Sequence, residues 1–270
     1  MKEQNAYILG TDQQELHRLG LQHQVWASEA QQGWHNAGFK EGDHLLDLGA
    51  GPGFCSKEMA FMVGDSGSVT GVDRSTNYIE FLNAVAQLYQ LPLKGICADF
   101  DEMELPTNYF DGMYCRWAMA WVPNPKEILG NVAVSLKKGA KVVLHEYFDW
   151  TTHQIEPNIP ELTVGIHACI KSFREQDGDI DVGRLLPQIL TDLGFKVTSK
   201  RLMHKLAQPH QFDWQWPKSF YHSYFPRLVD SGYLTQEECD KALAAHSVFE
   251  KNPNAMLFTP IMIEVVAEKL

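Results

Sequence analysis

A stretch of acidic and glycine residues, LLDLGAGPGF at residues 45–54, has the residue types and spacing to bind a nucleoside or a phosphate. Asp47 stands two residues before the first of three alternating glycines, Gly49, Gly51 and Gly53. Glycine permits a positive φ and lets a ligand approach the main chain closely. A turn that joins a strand to a helix also directs unpaired backbone amides towards the ligand. The stretch therefore predicts a ligand-binding turn.

Three ligand classes compete for such a turn. A phosphate-binding P-loop requires GxxxxGK[ST], and no lysine follows these glycines, so we exclude it. A dinucleotide fingerprint requires GxGxxG. Its sixth position is Phe54 when counted from Gly49, and Ser56 when counted from Gly51, so the pattern fails once and is half-met once. Two interpretations therefore stay open: an NAD-dependent oxidoreductase with a variant turn, and a protein that binds a sulfonium nucleoside.

The chain resembles a known family at this turn and beyond it. LLDLGAGPG resembles the first motif of the class I S-adenosylmethionine (SAM) methyltransferases. GVDRS resembles that family's acidic ribose site, and ADFDEMELP resembles its third-strand motif. FDGMYCRWAMAWVPNPKEILGNVAVSLKKGAKVVLHEY is similar to its fourth strand, helix and fifth strand. The four motifs occur in the family's order and cover roughly residues 42–147.

The resemblance implies a nucleoside site built from acids at strand ends. Asp73 and Arg74, at the end of the second strand, are both candidate cofactor-binding residues. The Asp73 carboxylate can accept two hydrogen bonds from vicinal ribose hydroxyls. Asp99 can accept from the adenine amino group, while Phe100 offers its backbone amide to a ring nitrogen. An isolated Asp after a strand is often only a turn residue. The order of the motifs favours ligand roles for both acids.

The resemblance also implies where the methionine part of SAM lies. Gly49 and the fourth-strand end, Arg116 and Trp117, would flank it over the glycine turn, and Asp47 would act indirectly by orienting the turn or a water. The positive charge of Arg116 repels a sulfonium cation. We therefore expect Arg116 to pair with a carboxylate, either of SAM or of the protein.

Aromatic residues are candidates to face the sulfonium, because a cation over an aromatic ring is favourable. The candidates are Trp117, Trp26 and Tyr7, the last of these in an N-terminal region that resembles the start of many small-molecule methyltransferases. Ordinary core packing is an equally good interpretation of the two tryptophans.

Methyl transfer from SAM is an in-line displacement, so a protein contributes mainly by positioning the two reactants. A general base is needed only where the nucleophile must lose a proton. His145 and Tyr147 lie at the end of the fifth strand and are our first candidates. Glu146 between them is a further candidate, and alternation places it on the opposite face of the strand from His145 and Tyr147.

The elements that position these residues alternate between strand and helix from Gly42 onwards. Near-continuous apolar strands separated by helices predict a doubly wound, mostly parallel seven-stranded α/β sheet with an antiparallel edge strand. We predict a helix over residues 12–38, a helix within residues 124–140 with Gly139 at its C-terminal end, and a closing strand over 255–270. The predicted divisions are an N-terminal helical cover (1–40), a SAM-binding core (41–208 with 253–270) and a helical insertion (209–252) that serves as a substrate cap.

The composition of the 270-residue chain, 44% hydrophobic and 21% charged, is that of a globular protein. The net charge of -11 argues against nucleic acid as the main partner. Five scattered cysteines without CxxC spacing predict neither disulfides nor a metal site, and they favour a reducing cytoplasm. No secretory signal and no membrane span is expected.

These observations predict a cytoplasmic SAM-dependent methyltransferase that methylates an O, N or C atom of a small molecule. Aromatic residues of the insertion suit an apolar or aromatic acceptor, although they could equally form the insertion's own core. Two alternatives remain: the NAD-dependent oxidoreductase and a non-catalytic SAM-binding protein. The sequence does not set the oligomeric state, and a homodimer is the assembly to test.

Overall fold

The computed structural model describes residues 12–270, so Tyr7 lies outside the described residues. In this part of the chain the strands are β1 (His44–Leu48), β2 (Ser68–Asp73), β3 (Leu93–Cys97), β4 (Phe110–Arg116), β5 (Leu136–Asp149), β6 (Gln154–Glu156), β7 (Phe195–Met203), β8 (Leu206–Ala207), β9 (Met256–Phe258) and β10 (Ile261–Lys269). The helices are α1 (Gln13–Ala37), α2 (Phe54–Val63), α3 (Thr76–Tyr89), α4 (Pro125–Ser135), α5 (Pro160–Arg174), α6 (Leu186–Asp192), α7 (Gln215–Asp230) and α8 (Gln236–Phe249).

The chain divides into two compact units. One contains the described residues up to Val25 together with 149–176 and 204–261, and the other contains 26–148, 177–203 and 262–270. These boundaries differ from the predicted ones, because residues 149–176 join the helices of the insertion and α1 contributes to both units. The role of residues 209–252 as a substrate cap stays a prediction.

The larger unit is built on a seven-stranded sheet with the order β3-β2-β1-β4-β5-β10-β7. β1 pairs parallel with both β2 and β4, and β4 pairs parallel with β5. The edge strand β7 pairs antiparallel with β10. The predicted fold class is therefore confirmed. The strand order reverses between β1 and β4, and an open α/β sheet binds its ligands outside such a switch point.

Local sequence signals explain where several elements begin. Asp12 accepts the backbone N–H of Glu15 at 2.9 Å and so caps α1, and Ser75 accepts from Tyr78 at the start of α3. Pro125 occupies the first position of α4, where its missing N–H costs nothing. β1 is almost wholly buried, which explains its near-continuous apolar sequence.

Two predicted boundaries are wrong for physical reasons. The helix predicted to run to Gly139 ends at Ser135, because Leu136 is buried and pairs with Phe110 as the first residue of β5. The closing strand predicted over 255–270 is two strands, interrupted at Thr259 and Pro260. β9 pairs with β6 and β8, whereas β10 joins the large sheet. Proline cannot donate a ladder hydrogen bond, which marks the break.

The smaller unit packs α5, α7 and α8 with an antiparallel three-stranded sheet of order β6-β9-β8. Its interior is aromatic. The rings of Phe173 and Tyr224 stack at 5.2 Å, and those of Tyr221 and Phe225 stack at 5.0 Å. Tyr221, Tyr224 and Phe225 are fully buried. These aromatic residues of the insertion therefore form the core of this unit. None of the helices over residues 12–270 is long and apolar enough to span a membrane.

Candidate cofactor site at the switch point

The glycine turn has the left-handed backbone that its sequence predicts. Gly49 and Gly51 have φ values of 76° and 52°, which only glycine adopts without strain. A Cβ atom at Gly49 would overlap the Cβ atom of Ala118 and would lie 3.6 Å from the ring of Phe100. A Cβ atom at Gly51 would meet nothing within 4 Å. Gly49 is thus enclosed by protein, while Gly51 borders open space where a ligand can approach.

Hydrogen bonds to β2 hold the turn in place. The amides of Gly49 and Ala50 both donate to the carbonyl oxygen of Val72, at 2.9 and 3.0 Å. The Gly51 amide donates to Oδ2 of Asp73 at 2.8 Å, and the Ser75 amide donates to its Oδ1 at 2.9 Å. Each carboxylate oxygen keeps a further lone pair for a ligand hydroxyl. Burial raises the pKa of Asp73 and these amide hydrogen bonds oppose it.

Asp47 lies beneath the turn and is 2% exposed. Its Oδ2 accepts the hydroxyl of Ser56 on α2 at 2.5 Å. Burial raises the pKa of Asp47 to about 6, against the hydrogen bond from Ser56 and the positive charge of Arg116. A buried carboxyl that ties the end of β1 to α2 fits the predicted indirect role.

The predicted adenine contacts follow β3. Asp73 is level with Cys97 in the parallel pairing of β2 and β3, so Asp99 lies two residues beyond the same sheet edge. Asp99 is exposed and the Phe100 ring approaches Gly49. The structure thus brings the turn, Asp73 and Phe100 together, with Asp99 beside them at the carboxyl ends of the strands. Arg74 is exposed, and its positive charge lowers the pKa of Asp73.

The predicted aromatic residues form a cluster beyond β4. The ring of Trp117 stacks on Tyr147 at 5.8 Å and meets Trp26 edge-on at 6.1 Å. The Trp117 indole N–H donates to the sulfur of Met262 at 2.9 Å. The guanidinium of Arg116 lies over the Trp117 ring at 4.9 Å. The positive charge of Arg116 also acts on Asp47, which supports the predicted pairing of Arg116 with a carboxylate of the protein.

His145 is buried in a polar network on the sheet. Its Nε2 lies 3.0 Å from Oε2 of Glu264, and its Nδ1 lies 3.3 Å from the hydroxyl of Tyr114. Arg201 donates to both oxygens of the Glu264 carboxylate, at 3.2 and 2.9 Å. Burial lowers the pKa of His145 despite the hydrogen bond to Glu264. Both ring nitrogens are engaged by protein groups, so this geometry gives no support to His145 as a general base.

The sequence offers Glu146 only as a further candidate base at the strand end, and its structural role was missed. Glu146 is fully buried at the end of β5, and its Oε1 accepts the amides of Ala118 and Met119 at 2.8 Å each. The signal that could have found it is a charged residue inside a run of apolar strand residues, VVLHEYF.

The fold is that of a doubly wound α/β protein, with a candidate nucleoside site at its switch point. Residues 46–144 match a family model described as a methyltransferase domain. Over 102 residues the chain is 31% identical to the ubiquinone biosynthesis O-methyltransferase of Coxiella burnetii, which covers 38% of this chain and 42% of that protein. The chain therefore contains a domain of the class I SAM-dependent methyltransferases, and the prediction of this class is confirmed.

Solved structures share the fold. The YcgJ protein of Bacillus subtilis has a TM-score of 0.58 at 15% identity, over 92% of this chain and 98% of that one. The phosphoethanolamine N-methyltransferase 2 of Haemonchus contortus, in complex with SAM, has a TM-score of 0.57 at 15% identity, over 93% of this chain and 57% of that one. SAM is the cofactor of this class, as the motifs predict. None of these relatives supports the alternative of an NAD-dependent oxidoreductase.

Proposed function

We propose that the chain is an enzyme that transfers the methyl group of SAM to an O, N or C atom of a small molecule. The observation that carries this proposal is the Asp73 carboxylate, which is bound to the Gly51 amide at the switch point and is left with lone pairs for a ribose diol. The matched O-methyltransferase shares less than half of its length with this chain. The activity is therefore proposed here on the site's own geometry.

The residues at the switch point fit SAM by the chemistry of their donors and acceptors. Asp73 would take the ribose hydroxyls, and Asp99 with the Phe100 amide would take the adenine. The turn from Gly49 to Gly53, with Gly51 open to a ligand, would lie under the methionine. Trp117 would form part of the wall beside the methionine, with its ring stacked on Tyr147 and next to the Arg116 guanidinium, whose charge also acts on Asp47. When bound, SAM supplies an activated methyl group.

The chain's own contribution to the reaction is positioning and exclusion of water. The cluster of buried Trp26 and Tyr147 with partly buried Trp117 provides an apolar wall. Such a wall lowers the entropy cost of aligning two reactants. Tyr147 stays a candidate general base, because its ring stacks on Trp117 beside the proposed methionine site. We assign His145 to the structural network with Glu264 and Arg201 instead.

We further propose that the acceptor is amphipathic and binds along α5 in the smaller unit. A cavity of about 720 Å³ follows one face of this helix, and this volume suits a small molecule. Ile155, Ile166 and Ile170 supply an apolar surface. The charged residues of the lining are of both signs: Lys171, Arg174, Glu156 and Glu175. Residues 209–252 contribute nothing to its lining. The insertion's aromatic residues are used in packing, so they do not support an aromatic acceptor.

Two experiments test the proposed function. Calorimetry of the whole chain with SAM and with S-adenosylhomocysteine should show binding of both. Incubation of metabolite extracts with methyl-labelled SAM should then label a small molecule only when the protein is present. Binding without any transfer would favour the alternative of a non-catalytic SAM-binding protein, and no binding would contradict the proposal.

We also propose a cytoplasmic location for the protein. All five cysteines are free thiols, and four of them are buried, which supports a reducing cytoplasm. A homodimer stays a prediction, and light scattering of the purified chain measures it directly.

A further inference from the structure

The turn that follows β4 has a strained backbone. Trp117 has a φ of 54°, in the left-handed region that residues other than glycine rarely adopt. Strain of this kind persists only where surrounding contacts hold it, and it is concentrated at binding sites. The contacts that hold this turn therefore show what it is built for.

Three hydrogen bonds, donated by the amides of the turn to acceptors near the end of β5, hold the turn. The amide of Trp117 donates to the carbonyl oxygen of His145 at 3.0 Å. The next two amides, of Ala118 and Met119, both donate to Oε1 of Glu146 at 2.8 Å. Because Arg116 pairs with His145 in the sheet, Glu146 lies one residue beyond that pair and directly beside the turn. A single side-chain oxygen thus fixes two successive amides.

This turn in turn sets the position of the glycine turn. The Cβ atom of Ala118 lies so close to Gly49 that no side chain fits there, and Ala118 is 8% exposed. Two packed turns at the ends of β1 and β4 thus share one contact. A shift of the turn after β4 would move Ala118 against Gly49, or would open a gap beside it.

We propose that Glu146 is a positioning residue of the cofactor site, whose side-chain oxygen holds the turn at residues 117–119 against Gly49. The inference rests on the proposed function, because the turn it positions flanks the proposed methionine site. Glu146 is 0% exposed, so it acts through Trp117 and Ala118 and contacts no ligand itself.

The acceptor oxygen of Glu146, and not its negative charge, is what the two turn amides require. No cationic group pairs with it among the described residues, and Oε2 has no hydrogen-bond partner there. Burial raises the pKa of Glu146 to about 8, against the hydrogen bonds from the amides of Met119, Ala118 and Ala120. A neutral carboxyl accepts the same two amide hydrogen bonds through its carbonyl oxygen. Glutamine offers an equivalent oxygen, so E146Q should preserve the turn.

The first test needs no ligand. Amide hydrogen exchange over a peptide spanning residues 115–121 should be slow in the wild type and in E146Q, and fast in E146L, which has no acceptor. The control is V143A. Val143 lies three residues upstream in the same strand and is also fully buried, so its truncation creates a cavity there. V143A should lower the thermal midpoint without faster exchange over this peptide. Equally slow exchange in E146L, or fast exchange in the wild type, would overturn the proposal.

The second test measures S-adenosylhomocysteine by calorimetry on the same proteins. Loss of the acceptor should weaken binding about tenfold or more in E146L, whereas E146Q and V143A should stay within about threefold of the wild type. Wild-type affinity in E146L, or equal losses in E146Q and E146L, would overturn the positioning role. If E146L does not fold, E146A is measured in its place. The comparison of E146Q with the wild type by amide exchange is made in either case. Absence of binding in the wild type would contradict the proposed function alone, because the exchange experiment does not depend on a ligand.

Discussion

The carboxylate of Asp73 accepts the backbone amide of Gly51 at 2.8 Å, so the acid that ends β2 is bound to the glycine turn that follows β1. The same carboxylate accepts the Ser75 amide at the start of α3. One side chain thus connects two strand ends and a helix at the switch point. In our proposal it also receives the ribose hydroxyls, which couples ligand binding to the conformation of the turn.

Asp73→Ala should weaken SAM binding, because the ribose hydroxyls lose a charged acceptor and the Gly51 amide loses its partner. The expected loss is about 1.5–3 kcal/mol, or roughly 10- to 150-fold in Kd. Calorimetry with S-adenosylhomocysteine measures it. Glu80→Ala, which removes an exposed carboxylate of the neighbouring helix α3, is the matched control and should change the Kd little. Equal affinities for Asp73→Ala and the wild type would remove Asp73 from the site.

Gly49→Ala and Gly51→Ala should separate folding from binding. A methyl group at Gly49 would overlap Ala118 and would have a positive φ, so we expect a loss of about 3 kcal/mol or more in the free energy of unfolding. A methyl group at Gly51 has only the backbone strain, about 1–2 kcal/mol, because its surroundings are open.

Gly51→Ala should nevertheless bind SAM weakly, since the added methyl group projects into the proposed ligand space. Denaturant unfolding and calorimetry on the two variants give both quantities. Unaltered SAM affinity in a folded Gly51→Ala protein would show that the ligand does not pass over Gly51.

His145→Gln should act on stability and leave the chemical step nearly intact. Glutamine has one side-chain amide where His145 has two ring nitrogens, so it keeps at most one of the contacts with Glu264 and Tyr114, at a cost of about 1–3 kcal/mol. Tyr147→Phe is the comparison, because it removes only the hydroxyl of the other candidate. Denaturant unfolding and kcat are measured for both. A loss of kcat above about a hundredfold in His145→Gln, with unchanged stability, would restore His145 as the general base.

Ile170→Glu should raise the KM for the acceptor found by labelling, because it places a charge on the apolar surface of the α5 cavity. The Kd for SAM should not change. Val164→Glu is the control, since Val164 lies on the same helix, is 42% exposed and does not line the cavity. The same KM in both variants would place the acceptor elsewhere.

The sequence predicts most of the fold, because strand and helix patterns in an α/β sheet are local. The helix α1 lies within a few residues of its predicted range, and strands alternate with helices from Gly42 onwards as predicted. The start of β5 was missed because it depends on the pairing of Leu136 with Phe110, which is a tertiary contact. The split between β9 and β10 depends in the same way on two different sheets competing for one apolar segment.

The candidate site shows the same division. The glycines and Asp73 are identified by spacing, because their roles follow from backbone geometry next to them. The network of His145 joins residues far apart in the chain, and its partner Glu264 is 119 positions away. Glu146 likewise acts on amides 27 and 28 positions before it. No local pattern reveals such partners, although a charged residue within a buried strand does mark where to look.

The most direct test of the central claim is calorimetry of S-adenosylhomocysteine against the wild type and Asp73→Ala at the same temperature and salt concentration. We predict saturable binding at a single site in the wild type and a Kd roughly 10- to 150-fold higher in a folded Asp73→Ala protein. No heat of binding to the folded wild type, or the same Kd in both proteins, would contradict a SAM site at the junction of Gly51 and Asp73.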